Sequence, residues 1–338
     1  MFRRTKSIVG LDIGSHAVRA VEVTRSGDSL MLTGLGRAKV ESPDALEDSI
    51  VRMLNDAGIR TRKCVTAVSG RSVIVRYVPM PPLADAELKQ AVRVEADKYI
   101  PFDVDEVILD CHKIEEPAPG EQMRVVLVAV KRTMIEEHVA MLDRLGLVPA
   151  IVDVDVFALG NGFEGRNRRL GIQDEEIRGL VDIGASKTNI NIMRGNTSYF
   201  TREIYNAGND LTEAVAKRFG EDPADVERMK EDPGGALETM QDAIVPVLED
   251  IGSEIRLSFD YYENQFDQEV KEVYLSGGSV LFPGMDKMLA KIFNLETRLW
   301  DPMEALDLSG GRFDASRLQG MNSDMAIAVG LAMRLRSL

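Results

Sequence analysis

The chain has 338 residues, 44% of them hydrophobic and 28% charged, with 41 Lys and Arg against 55 Asp and Glu for a net charge of −14. That length holds two or three lobes with full cores, and the composition excludes a disordered chain. The acidic balance excludes a general nucleic-acid binder, which needs surplus Lys and Arg to neutralise phosphates, but it allows a nucleotide held by backbone amides and a metal ion.

In chain order, Met1–Lys6 is basic, but no sustained apolar run follows it, so it is not a signal peptide. Val9–His16 reads as a strand ending at Asp12, a tight turn at Gly14, and a second strand over Val18–Val23. Cys64–Val68 and Val73–Val78 follow as strands, then a linker with Pro79, Pro81 and Pro82, then an amphipathic helix over Ala84–Tyr99. Glu115–Glu121, with Pro117 and Pro119, reads as a polar loop, Val125–Val130 as a buried strand, and Met134–Leu145 as a helix stopped by Gly146. At Gly179–Ser186 the opening pattern returns, with Asp182 and Gly184 in the places of Asp12 and Gly14 and a second strand over Asn189–Met193. Short helices are expected at Asp210–Phe219 and Pro223–Lys230, and a long one over Ala243–Phe266 with Pro246 near its start. A strand at Val273–Leu275 leads into Gly277-Gly278-Ser279, and helices over Met285–Phe293 and Asp324–Leu335 close the chain. Alternating strands and helices predict an α/β fold, and the repeat predicts two duplicated lobes. The two cysteines, Cys64 and Cys111, give neither a disulfide framework nor a zinc site, which suits a reducing compartment. The apolar runs Val125–Val130 and Met325–Met333 fall short of the ~18 residues of a spanning helix, so a soluble protein that meets a membrane only through a partner is expected.

A strand that ends in a carboxylate and turns sharply through glycine brings consecutive backbone N–H groups onto one point, where they bind phosphate oxygens. The carboxylate at the strand end can hold Mg²⁺ through water. One such turn is also an ordinary hairpin. Two, at Asp12–His16 and Asp182–Thr188, would grip a polyphosphate from both sides, with Asp12 and Asp182 as the metal ligands. Gly14, Ser15 and His16 belong to the first turn, and Gly184, Ala185, Ser186, Lys187 and Thr188 to the second. Lys187 is either a phosphate contact or a solvated lysine, and His16 either a donor to phosphate or a surface histidine. Gly277, Gly278 and Ser279 let the backbone approach a flat group such as adenosine. Neither G-x-x-x-x-G-K-[ST] nor G-x-G-x-x-G occurs in the chain.

The order Asp12–Val23, Asp153–Leu159, Asp182–Met193, Ser276–Pro283, Ala326–Leu335 resembles the actin-like ATPase fold over nearly the whole chain. Within it, Val94–Val107, Leu142–Leu147 and Asp153–Leu159 resemble the PilM family of type IV pilus assembly, which shares with FtsA a small inserted subdomain called 1C. The resemblance implies a first lobe over 1–82, 1C over 83–152, a return to the first lobe over 153–178, a second lobe over 179–319 with its 2B part at 206–272, and a final helix over 320–338. It implies ATP and Mg²⁺ as cofactors, and Gly208 and Asn209 as the helix start that approaches the nucleotide. Asp155 stands where related ATPases position the attacking water, so Asp155 and Asp182 are the catalytic candidates. An aspartate is short for that work, which points to slow or absent hydrolysis.

The implied function is a cytoplasmic ATP-binding scaffold of twitching or related pili, recruited to the inner face of the inner membrane. Its implied partner is the N-terminal cytoplasmic peptide of a PilN-like membrane protein, held between the first lobe and 1C. Pilus motor ATPases and a second copy of the chain are further implied partners. The alternative is an FtsA-like, membrane-associated filament former, against which stands the chain's end at Leu338 with no amphipathic targeting helix. A metabolic kinase or a chaperone of the same fold would need a longer second lobe or a substrate domain.

Overall fold

The computed structural model describes residues 6–115, 120–310, 313, 318 and 322–338. The basic start over 1–5, the Pro117 and Pro119 part of the expected loop, and the expected boundary at 319/320 lie outside the described residues.

The chain opens with β1 (Ser7–Ile13), β2 (Ala17–Ser26) and β3 (Ser29–Lys39), continues through α1 (Leu46–Asp56) to β4 (Lys63–Val68), and then leaves this sheet. β5 (Val73–Met80), α2 (Asp85–Glu95), β6 (Val107–Lys113) and β7 (Met123–Lys131) form a separate unit. α3 (Arg132–Arg144) and β8 (Val148–Val154) return to the first lobe, and α4 (Asp155–Leu170) crosses to the second. There β9 (Ile177–Ile183), β10 (Thr188–Arg194) and β11 (Thr197–Ile204) are followed by α5 (Gly208–Phe219), α6 (Pro223–Glu231) and α7 (Leu237–Phe266). β12 (Glu272–Ser276), α8 (Met285–Phe293), β13 (Glu296–Leu299) and α9 (Ala326–Met333) complete the fold.

The repeat read from the sequence is a repeat of topology. One five-stranded sheet has the order β3-β2-β1-β4-β8 and the other β11-β10-β9-β12-β13. In both, the first three strands are antiparallel and the last two parallel to the strand that carries the aspartate. Asp12 and Asp182 therefore end equivalent central strands, one per lobe.

The helices between the lobes approach closely because they carry glycine where they touch. A Cβ on Gly330 of α9 would lie 1.7 Å from the Ala158 carbonyl oxygen of α4, and one on Gly162 of α4 would lie 3.4 Å from the Gly330 Cα. Phe163 of α4 stacks edge-on against Tyr274 and Trp300 of the second lobe, so one core layer is shared between the two halves. α7 begins two turns before the expected Ala243, and Pro246 sits inside it. Proline removes one ladder hydrogen bond, but Met240, Ile244, Leu248, Ile251, Ile255 and Phe259 bury one face of this helix at helical spacing, and that packing carries it through.

The inserted unit has other bounds than the expected 83–152. Its sheet, β5-β7-β6, is antiparallel throughout and begins at Val73. With α2 it buries its own core, which includes Val78, Leu88, Val92, Val107 and Leu127. At the other end, Leu142 and Leu147 pack with Val9, Leu11 and Ile50 of the first lobe, so α3 and β8 belong to that lobe. The unit also leans on the second lobe. The Tyr77 hydroxyl bonds the Ser198 hydroxyl of β11 at 2.9 Å, and the Arg124 guanidinium lies 4.2 Å from the Phe266 ring centre.

Candidate functional site

A cavity of about 930 Å³ opens between the lobes where β1 and β9 end. The two turns are built alike: the Gly14 N–H donates to the Ala17 carbonyl at 3.1 Å, and the Gly184 N–H to the Lys187 carbonyl at 3.0 Å. They face each other closely, with the Ser15 and Ser186 hydroxyl oxygens 3.0 Å apart. Fourteen of the fifteen residues expected in the nucleotide site line the cavity, as does Asp155. The exception is Thr188, whose buried side chain donates to the Asn206 carbonyl at 2.9 Å and faces away from the cavity. Gly208 is tight for a reason of its own: a Cβ there would lie 2.2 Å from the Ser279 hydroxyl oxygen. The Gly208 and Asn209 amides donate to the Gly184 and Ala185 carbonyls, so the start of α5 braces the second turn.

Burial pushes the Asp12 carboxyl well above the ordinary carboxylate range; Arg19 opposes this, and the nearby Asp155 and Asp182 reinforce it. Burial raises Asp182 in the same way, against the 2.8 Å hydrogen bond it accepts from Ser276 and the field of Arg19. Two carboxyls that resist ionising beside each other form a site that gains by taking up a cation. Among the described residues, no three His, Cys, Asp or Glu side chains are grouped to hold a metal by themselves. The donors present therefore fit a hard ion that keeps water and completes its shell with ligand oxygens, as Mg²⁺ does.

Three further groups at or behind the cleft escaped the sequence reading. Arg19, on β2, lies directly across the hairpin from Asp12 and reaches both Asp12, at 3.2 Å, and Asp324, at 2.9 Å. Hairpin register alone would have found it. Asn189 holds the matching position opposite Asp182, fully buried and with no partner for either side-chain polar atom among the described residues. Glu227 and Lys230 of α6 line the cavity 2.8 Å apart, and nothing in the sequence marks them. Lys230 and a hydrogen bond from Thr212 hold Glu227 below its ordinary range despite burial, which acts to raise it. Burial lowers His16, so at neutral pH it is an uncharged ring. Lys187 is committed: its ammonium contacts Asp155 at 2.5 Å and Glu203 at 3.2 Å.

Two duplicated lobes, hinged by α4 and α9 around a cleft with an Asp–Gly turn from each side, define the actin-like ATPase fold. Solved structures agree: EutJ of Carboxydothermus hydrogenoformans aligns with a TM-score of 0.55 at 15% identity, covering 97% of this chain and 90% of that one. MreB5 of Spiroplasma citri bound to ADP aligns with a TM-score of 0.53 at 12% identity, covering 99% and 98%. The chain matches the family described as type IV pilus assembly protein PilM over residues 10–336. It aligns with the PilM–PilN type IV pilus biogenesis complex at a TM-score of 0.87 and 32% identity, over 98% of this chain and 99% of that one. The chain belongs to the PilM family of type IV pilus assembly proteins. Cell division protein FtsA of Escherichia coli K12 is a more distant relative, 22% identical over 90% of this chain and 86% of its own length, which does not outweigh the pilus reading.

Proposed function

We propose that this chain is an ATP-binding scaffold of the pilus assembly machinery. It holds Mg-ATP between its lobes and takes the N-terminal cytoplasmic peptide of a PilN-like membrane protein beside the β5-β7-β6 unit. The observation that carries the nucleotide reading is the facing pair of identically built turns, with a carboxylate behind each. Turn amides at Ser15, His16, Ala185 and Ser186 cradle the phosphates, and Asp12 and Asp182 hold the ion, which supplies charge neutralisation. Glu227 and Lys230 lie where they can meet the sugar, and Gly277 and Gly278 give the base a flat bed.

Slow turnover is part of the reading, because Asp155 is ion-paired with Lys187 and so is held away from the task of orienting a water. The partner rests on the relative solved with PilN. Among the described residues no helix is long and apolar enough to cross a membrane, which accords with recruitment to the inner membrane through that partner. Pilus motor ATPases and self-association are later steps of the same reading.

Calorimetry of Asp12→Ala tests the site: Mg-dependent ATP binding should vanish while the far-ultraviolet circular dichroism stays that of the wild type. Unchanged affinity in the folded variant would sink the phosphate assignment.

A further inference from the structure

Between β4 and β5 the chain runs along the rim of the cleft, and Ser69 and Gly70 line the cavity there. Gly70 has φ +94°, in the region that favours glycine. Its N–H crosses to the second lobe and donates to Glu203 Oε2 at 3.2 Å. The same oxygen accepts from Lys187 at 3.2 Å, and Lys187 comes from the second turn itself. Tyr205 also lines the cavity, and the Arg71 guanidinium lies 5.0 Å from its ring centre. Further along β5, Tyr77 and Ser198 continue the seam between β5 and β11, both of which are edge strands.

We propose that Glu203 is a positioning residue that latches the lobes over the phosphates and ties nucleotide residence to the seat of the β5-β7-β6 unit. The inference rests on the nucleotide reading above. Glu203 reaches the cleft through Lys187 and the inserted unit through Gly70, so one carboxylate senses both. When the lobes part, the Gly70 bond breaks and the Lys187–Glu203 pair loses its first-lobe neighbour. When they close over a nucleotide, the loop that leads into β5 is fixed in place. A hydrogen bond to a charged acceptor is among the stronger single contacts available for this.

The test is release of a fluorescent ATP analogue, with Mg²⁺ present, chased by unlabelled ATP. Glu203→Ala should release it about tenfold faster than wild type, the loss expected for one charge-assisted bond. Glu203→Gln keeps an acceptor for the Gly70 amide and loses the charge that faces Lys187, so it should fall between the two; it also serves if the alanine variant folds poorly. Amide hydrogen exchange gives the readout that a purely structural residue would not move. In wild type the analogue should slow exchange over residues 69–75, and in Glu203→Ala it should not. Wild-type release from a folded Glu203→Ala chain, or nucleotide protection of 69–75 persisting in it, overturns the latch alone. If the wild-type chain takes up no analogue, the nucleotide reading falls and the latch falls with it.

Discussion

Lys187 is the cation shared by two carboxylates, Asp155 and Glu203, at a place where little solvent reaches any of the three. Burial acts to lower its pKa, but the two acids prevail and hold the ammonium above its ordinary value. A group raised in this way contributes its full stability below its unfolded pKa and loses it only as pH climbs through the higher folded value. The contribution of Lys187 is therefore constant across the neutral range. Lys187→Met leaves two neighbouring carboxylates without their cation, at a cost of roughly 3 kcal/mol or more. Denaturant melts should show a deficit of the same size at pH 6.5 and at pH 8, inside the range where Lys187 stays charged. A deficit that shrinks between them would mean that the ammonium is not where the energy lies. The sequence exposed Lys187 and left its role open between phosphate and solvent. Its real partners come from α4 and β11, which no spacing rule brings together, and that is why neither was foreseen.

α9 comes close enough to α4 and β1 for backbone to meet backbone, at Gly330 and at Gly10. A Cβ on Gly330 would lie 1.7 Å from the Ala158 carbonyl oxygen, an atom that cannot swing aside. Gly330→Ala should therefore destabilise the chain by about 1–3 kcal/mol in chemical denaturation, as overpacking in a tight core does. Gly235→Ala, which meets nothing within 4 Å, should stay near wild type. Equal stability for both variants would remove the tight helix contact from the account. The same packing explains what could be read at this scale. Met285–Phe293 and the two Asp–Gly hairpins were legible because their own residues specify them, by apolar period or by turn chemistry. α4 was not legible as a helix from its own residues, because Gly160, Gly162 and Gly165 are poor helix formers whose places are set by Asn191, Trp300 and Met333. β3 and β11 carry no signal that fixes them as third strands, since their partners set them.

The chain enters and leaves the inserted unit at one point. Val73 pairs with Val130, and the Lys131 N–H donates to the Ser72 carbonyl at 3.1 Å, so the chain enters and leaves side by side. The unit has its own core, and replacing 73–130 with a flexible linker of about four residues should leave the two lobes folded. That variant should still bind Mg-ATP in calorimetry and should lose a synthetic peptide copying the cytoplasmic start of a PilN-like protein. Peptide binding that survives would place the partner elsewhere, and a chain that no longer folds would show that the unit is not separable. One last difference between the halves concerns the ligand. The two sheets and their Asp–Gly turns repeat from lobe to lobe, yet Arg19 pairs with Asp12 where Asn189 pairs with Asp182. A frame with perfect twofold symmetry could accept a molecule that has a head and a tail in either of two senses. By keeping a cation at the cleft in one copy and a buried amide behind it in the other, the duplicated halves give the cleft a polarity, and the proposed nucleotide would have one way round to lie.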